Sequence, residues 1–431
     1  MNVTQDISKK TNWNLLTLIT FRFFFIYLIF NVLQKISYYI PAILGADDIY
    51  FFINKLNQLC FWVAKNILNI DQELQVTFNG SGDTTVNYIF QLITITITIL
   101  ATAIWSLLDF RRKEYNQLFI SLRVLVRYFL VLTMFLYGFA KVLTLQFSEL
   151  SNFDLIKTFG DSSPMGLLWG FMEYSNTYTR FSGIVEIFAG ILLLFRKTVV
   201  LGALLLIAIM LNVFMMNISY DIPVKLYSII LFIMGIFILV PDIKRTMQFF
   251  VLNKTVQPKA IKPYFSKQKF KTAAVIIKSL VACFLLFSSI NFFIKRQQKR
   301  DQKAPKPLLY GIYEVEEFIK NKDTLLPLTT DTIRWKRLII DKQHSGVQTM
   351  DEKITHFKEE TDTVSKTLSL ISFKDSTNIQ NLSYRLKDGL YVFESIYKSD
   401  TLKIEAKKKE REEFLLINRG FHWITERPFN K

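Results

Sequence analysis

Apolar runs of about 20 residues recur along this chain, and a run of that length has few homes other than a lipid bilayer. Seven are found, at 14–33, 88–108, 119–145, 182–195, 199–216, 222–240 and 273–294. The fourth reaches full length only if its helix begins inside the preceding loop. Over half of the 431 residues are hydrophobic, with 40 Phe. The expected class is a polytopic α-helical membrane protein.

The formal net charge of +17 raises the question of nucleic acid. Its location answers it. From residue 305 onward, 22 Lys and Arg stand against 20 Asp and Glu, a net +2 that leaves +15 in the part before. That excess lies beside the apolar runs, as the positive-inside bias of short membrane loops requires. No nucleic-acid partner is called for. The two cysteines, Cys60 and Cys283, form no C-x-x-C pair, and His344, His356 and His422 all follow the last apolar run. The membrane part therefore offers no histidine for haem or metal, and no metal site is expected.

Basic residues orient the spans. Lys9 and Lys10 precede the first run, which reads as a retained anchor. Arg111, Arg112 and Lys113 follow the second run, and the 242–272 loop carries eight Lys and Arg. This puts the N-terminus in the cytoplasm of a bacterial inner membrane and the region after the seventh run in the periplasm. Arg22 inside the first run reads as a snorkelling side chain. Arg123 and Arg127, four apart, read as a snorkelling pair or as ligands of anionic headgroups. Residues 51–68 read as a helix on the membrane surface, and Asn79 to Asp83 as a turn. The loop 146–180 holds Trp169, Glu173 and Arg180.

After Pro305 and Pro307 the pattern changes to short strand-like runs between turn residues: 311–315, 335–340, 367–373, 390–397, 402–406 and 414–417. Asp388-Gly389 is a hairpin signal. Seven or eight strands at this spacing predict an antiparallel β-barrel or β-sandwich. The Gly311-x-Tyr313-x-Val315 opening faintly resembles the Gly-x-Trp start of lipocalin-like barrels. Phe421, His422 and Trp423 read as part of a packed closing strand, and 407–413 as a solvated turn.

Polar groups converge in the middle spans. With the orientation above, Tyr137 and Lys141 lie near the outer end of the third span, and Glu186 a turn below the outer start of the fourth. Asn212 and Asn217 approach the outer end of the fifth, and Asp221 and Lys225 open the sixth, with Arg180 in the loop before the fourth. Ionisable groups at membrane depth are costly and usually face a bundle interior or cavity. Two readings fit. One is a polar clasp, with Lys141 on Glu186 and Asp221 on Lys225. The other is a pocket for a lipophilic molecule with a polar head.

These residues carry a resemblance. Tyr137-Gly-Phe-Ala-Lys141, Gly183-x-x-Glu186-x-x-x-Gly190 and Arg196-Lys-Thr198 followed by Gly202 resemble the DoxX family of small bacterial membrane proteins over residues 119–243. The resemblance implies a four-helix core and an association with quinone-linked redox systems, with Lys141 and Glu186 at family positions. The chain departs from it by two spans before that core, at 1–118, a basic loop and seventh span at 244–304, and the β-domain at 305–431. The function expected is a quinone- or lipid-binding component of a membrane redox system, with quinone as cofactor and a redox partner protein. The alternative is a non-enzymatic envelope protein that binds a hydrophobic ligand or a protein through its β-domain.

Overall fold

Each long apolar run becomes a helix, because a backbone in hydrocarbon has to satisfy its own N–H and C=O groups. The computed structural model describes residues 12–44, 51–72, 74, 81–257, 268–303, 305–375, 377–397 and 400–430. Lys9, Lys10, Asn79, Gly80, Lys259, Lys262 and Lys267 lie outside them. Among the described residues, seven helices are long and apolar enough to cross a membrane, and the chain is a membrane protein. It forms two units, residues 1–148 with 163–296, and residues 149–162 with 297–431.

In the first unit, α1 (Leu15–Leu44), α3 (Thr85–Leu108), α4 (Asn116–Val142), α7 (Asn176–Leu194), α8 (Val199–Ser219), α9 (Lys225–Leu239) and α11 (Gln268–Lys303) carry the spans. Helices α4, α7, α8 and α9 pack into a four-helix bundle around Leu130, Met134, Leu193, Leu206 and Met234. Helix α1 lies against α3 and α4. Helix α2 (Phe51–Asn66) buries Cys60, Val63 and Ala64 against the start of α3. The other faces remain apolar and uncovered. Leu107 and Leu108 are 77% and 80% exposed, as lipid-facing side chains are.

Helix α1 runs on to Leu44, past the end of its apolar run. The polar residues that end that run, such as Gln34, are buried against protein, so hydrocarbon never meets them. Helix α7 begins at Asn176, inside what the sequence presents as loop. Arg22 does not snorkel. It is buried, and its guanidinium donates to the Tyr115 hydroxyl, to Ser106 Oγ at 2.9 Å and to the Asp109 carbonyl at 2.9 Å. Arg123 and Arg127 are likewise turned toward protein. Arg123 donates to the Ile238 carbonyl at 3.0 Å and pairs with Asp242 at 3.2 Å. Arg127 is buried beside the Tyr128 ring. For Arg22 and Arg123 a neighbouring helix end supplies oxygens closer than the headgroup layer would, whereas Nε and Nη2 of Arg127 are buried without a hydrogen-bond partner.

The second unit is a closed antiparallel barrel of eight strands. These are β1 (Gly311–Lys320), β3 (Trp335–Ile340), β4 (Ser345–Thr349), β5 (Ile354–Asp362), β6 (Thr367–Ser372), β7 (Ile379–Lys387), β8 (Leu390–Tyr397) and β9 (Asp400–Lys409). The two-residue β2 (Asp323–Thr324) forms a hairpin on β1. Each strand pairs with the next, and β1 pairs with β9 to close the cylinder, which leaves no long open edge. At Asp388-Gly389 both residues have positive φ, 50° and 82°, the two-residue turn that matches strand twist. Alternate residues such as Leu368, Leu370, Ile404 and Ala406 point inward, with Tyr313, Phe318 and Phe393 filling the centre. Strands β4, β5 and β7 are too polar on one face to stand out in the sequence. Residues 414–417 are not a strand: α12 (Leu415–Asn418) is a single helical turn. Trp423 is 92% exposed in irregular chain, and β9 is the strand that closes the barrel.

Arg22→Gln separates a buried network from a snorkelling side chain. Hydrogen bonds to a charged group contribute roughly 1.5–3 kcal/mol each, so thermal unfolding in detergent should fall by several degrees. An unchanged transition would mean the guanidinium bonds add nothing.

Candidate functional site

Two glycines bring α4 and α7 together. A Cβ at Gly183 would sit 2.6 Å from the Gly138 carbonyl oxygen, and one at Gly138 would sit 2.8 Å from the Gly183 carbonyl oxygen. Two turns further along α7, a Cβ at Gly190 would meet the Phe135 ring at 2.9 Å. Only hydrogen fits at these points, so the two backbones approach more closely than larger residues allow. Lys141 lies three residues past Gly138 on α4, and Glu186 three past Gly183 on α7. In the antiparallel pair Lys141 is level with Gly183, and Gly138 with Ile187, so the long Lys141 side chain reaches across the glycine contact to Glu186.

Lys141 Nζ donates to both carboxylate oxygens of Glu186 at 2.9 Å. Both residues are buried, at 8% and 3% exposure. The Lys141 ammonium also lies 5.6 Å from the centre of the Tyr137 ring. The pair forms part of the wall of a cavity of about 290 Å³. The rest of that wall is mostly apolar, and includes Trp169, Met172, Val185, Met210, Ile222 and Leu231.

Of the eight residues singled out from the sequence, Tyr137, Lys141, Glu186, Asn212 and Asn217 line this cavity. Asn217 donates to Ser228 Oγ at 3.0 Å and to the Val224 carbonyl. Its amide thus ties the end of α8 to the start of α9. The other three lie elsewhere. Arg180 is exposed. Asp221 and Lys225 pair with each other at 2.8 Å, with the Asp221 side chain 84% exposed. Asp221 sits in the tight α8–α9 turn at a φ of 50°, which turns it away from the bundle. The polar clasp and the pocket are thus not rivals here, because the Lys141–Glu186 clasp is itself part of the cavity wall.

Several residues escaped the sequence reading. Gln146 and Phe147, just past α4, line the cavity, as do Trp169 and Met172 of α6 (Pro164–Tyr174). In the sequence they belong to a loop, and only the return of that loop over the bundle brings them in. Asp83 was read as a turn residue. Its carboxylate accepts the backbone N–H groups of Lys225 at 2.7 Å and Leu226 at 3.0 Å, and so caps the first turn of α9 from a distant segment. Cys60 is buried and Cys283 exposed, and neither is in a disulfide. No grouping of three metal-ligating side chains occurs among the described residues.

The second unit has its own polar cluster. The short helix α5 (Asn152–Ile156) belongs to it although it lies between α4 and α6 in sequence. Asn152 is fully buried and donates to the Ile340 carbonyl at 2.8 Å. Arg411 donates to Asn152 Oδ1, to the Leu150 carbonyl at 2.8 Å and to the Tyr310 hydroxyl at 2.9 Å. The 407–413 region is therefore more than a solvated turn. Phe153 stacks on His344 at 4.7 Å and touches His356 at 5.1 Å. Partial desolvation against the Phe153 ring, with the neighbouring His344 adding to it, holds the His356 imidazole below the usual histidine range although the residue is exposed.

Two predictions follow from these geometries. Removing one member of a buried ion pair strands the other, at a cost of roughly 3–5 kcal/mol. Glu186→Gln and Lys141→Met should each lower thermal stability strongly, while the double variant recovers most of the loss. Additive losses would mean the two side chains are not coupled. For His356 the sign is set by its lowered folded-state pKa. The unfolded chain binds more protons, so this contribution is complete above about pH 6.5 and declines as pH falls below it. Relative to the intrinsic amide exchange rate at each pH, protection at residues 150–156 should fall between pH 7.5 and 5.5, and less so in His356→Phe.

No known family profile matches the chain, and no solved structure matches it. It is similar to the uncharacterized protein YwoB of Bacillus subtilis (strain 168), with 35% identity over 130 residues. The aligned region covers 30% of this chain and 82% of that protein. At that identity and coverage, the chain belongs to the family of the uncharacterized protein YwoB.

Proposed function

We propose that the α4–α7–α8–α9 bundle binds a lipophilic molecule with a polar head, and that a membrane quinone is that molecule. One observation carries this reading: an apolar cavity with a buried Lys–Glu pair in its wall. A ligand pocket usually measures about 300–1,000 Å³. A cavity of about 290 Å³ suits a ring-sized head and the root of its tail, with the remainder lying along the lipid-exposed helices. The DoxX resemblance supports a quinone, because Lys141 and Glu186 stand at the positions it marks. In that role Lys141 and Tyr137 are hydrogen-bond donors to the head and Glu186 is the proton acceptor. Electrons come from a partner protein, in a bacterial inner membrane with the N-terminus cytoplasmic and the barrel periplasmic.

The alternative is an envelope protein that works through the barrel. Its support is the exposed apolar group Phe421, Trp423 and Ile424 after the last helical turn, a surface fit for a protein partner. The barrel interior itself is filled by Tyr313, Phe318, Leu338 and Phe393, which argues against a ligand inside it.

Solvent extraction and mass spectrometry of the gently purified protein test the first reading. A stoichiometric isoprenoid quinone is expected, and less of it in the Lys141→Met/Glu186→Gln double variant. A protein that retains no lipophilic molecule, in a strain indifferent to Glu186→Gln, would sink it. Loss of function in Phe421→Ser/Trp423→Ser with the cavity intact would favour the alternative.

A further inference from the structure

The cavity is open on one side. Among the residues that line it, Tyr178, Phe181 and Asn212 are exposed, and the others are buried or half-buried. All three exposed residues sit on α7 and α8. Near the turn that joins them, these helices are in contact: a Cβ at Gly202 would lie 2.9 Å from the Leu193 backbone nitrogen. Farther from that turn, at Val185 on α7 and from Ile209 to Met216 on α8, both border the cavity instead. The other walls hold no exposed residue. Phe147, Leu168 and Met172, from the connection before α7, are buried, and so are Ile222, Tyr227 and Leu231 on the α9 side.

Depth decides what this opening meets. With 19 and 21 residues, α7 and α8 just span a hydrocarbon core of about 30 Å. At 1.5 Å per residue, Phe181 lies about 7.5 Å inside the start of α7, and Asn212 about 10 Å inside the end of α8. The opening therefore lies below the headgroups. Its surroundings are apolar and exposed, with Ile184 and Phe188 on α7 and Leu211 and Met215 on α8. An amide in pure hydrocarbon is costly. At the rim of the opening, Asn212 can bond the oxygens of a polar head on its way in.

Resting on the binding reading above, we infer that the cavity is filled from the lipid phase through a slot between α7 and α8, and that its ligand is a membrane-resident amphiphile whose tail stays in that slot. The full-length protein in nanodiscs tests this, with a benzoquinone whose decyl tail carries a diazirine near the ring. Photolabelling that excess decyl quinone competes away is expected on residues 178–185 of α7 and 209–216 of α8. Competed labelling confined to α6 or α9 would put the tail elsewhere and overturn the slot, while the binding reading stands. When the probe is delivered from donor vesicles, Asn212→Phe, which fills the slot, should slow the rise in labelling about ten-fold. Leu211→Phe, at the neighbouring lipid-facing position, should leave it unchanged. An unslowed rise in Asn212→Phe, or equal slowing in both variants, also overturns the slot. If no labelling is competed at all, the binding reading falls with it.

Discussion

Contact between Gly138 and Gly183 governs the membrane unit. Where two helices carry hydrogen in place of side chains, their axes close up, and a long side chain beside the contact can reach across it. Here Lys141 reaches Glu186. In hydrocarbon neither charge is tolerable alone, so each of the two requires the other once α4 and α7 are packed. The cavity lies between this pair and residues of α8 and α9 such as Met210 and Leu231. Their own junction is tied by Asn217 to Ser228 and by Asp83 to the first turn of α9.

The connection between α4 and α6 serves two units. Gln146 and Phe147 at one end, and Trp169 beyond the other, belong to the cavity wall. The stretch between them, around Asn152 and Phe153, is built into the barrel unit through Arg411, Ile340 and the histidine pair. Residues up to Ser148 and from Ser163 thus belong to the bundle unit, and residues 149–162 to the barrel unit.

Legibility varied with the kind of signal. Apolar length identified the seven long apolar helices found among the described residues, and period-two alternation with Asp388-Gly389 identified an antiparallel β-domain, its closure into a barrel being decided by the β1–β9 pairing. Strands such as β5 were missed because a barrel strand needs only one apolar face, and β5 shows little even of that. Arg22 and Arg123 were misjudged for a related reason. A charge within an apolar run has the same sequence signature whether its partner is a lipid headgroup or the carbonyl end of another helix. Gln146 carries no sequence signal at all.

Hydrophobic length and residue alternation are local properties, so the chain alone settled its membrane character, its helix count and its β-domain. The ordered spacing of Gly138, Lys141, Gly183 and Glu186 also marked the two side chains that are joined in the cavity wall. Which of the remaining polar groups join that pair was decided by tertiary structure. Tyr137, Asn212 and Asn217 reach the cavity, and Asp221 and Lys225 do not, because a left-handed residue in a tight turn rotates the latter pair outward. Depth in the membrane follows from position along one helix. Lateral proximity depends on how several helices rotate against each other, and no single segment encodes that.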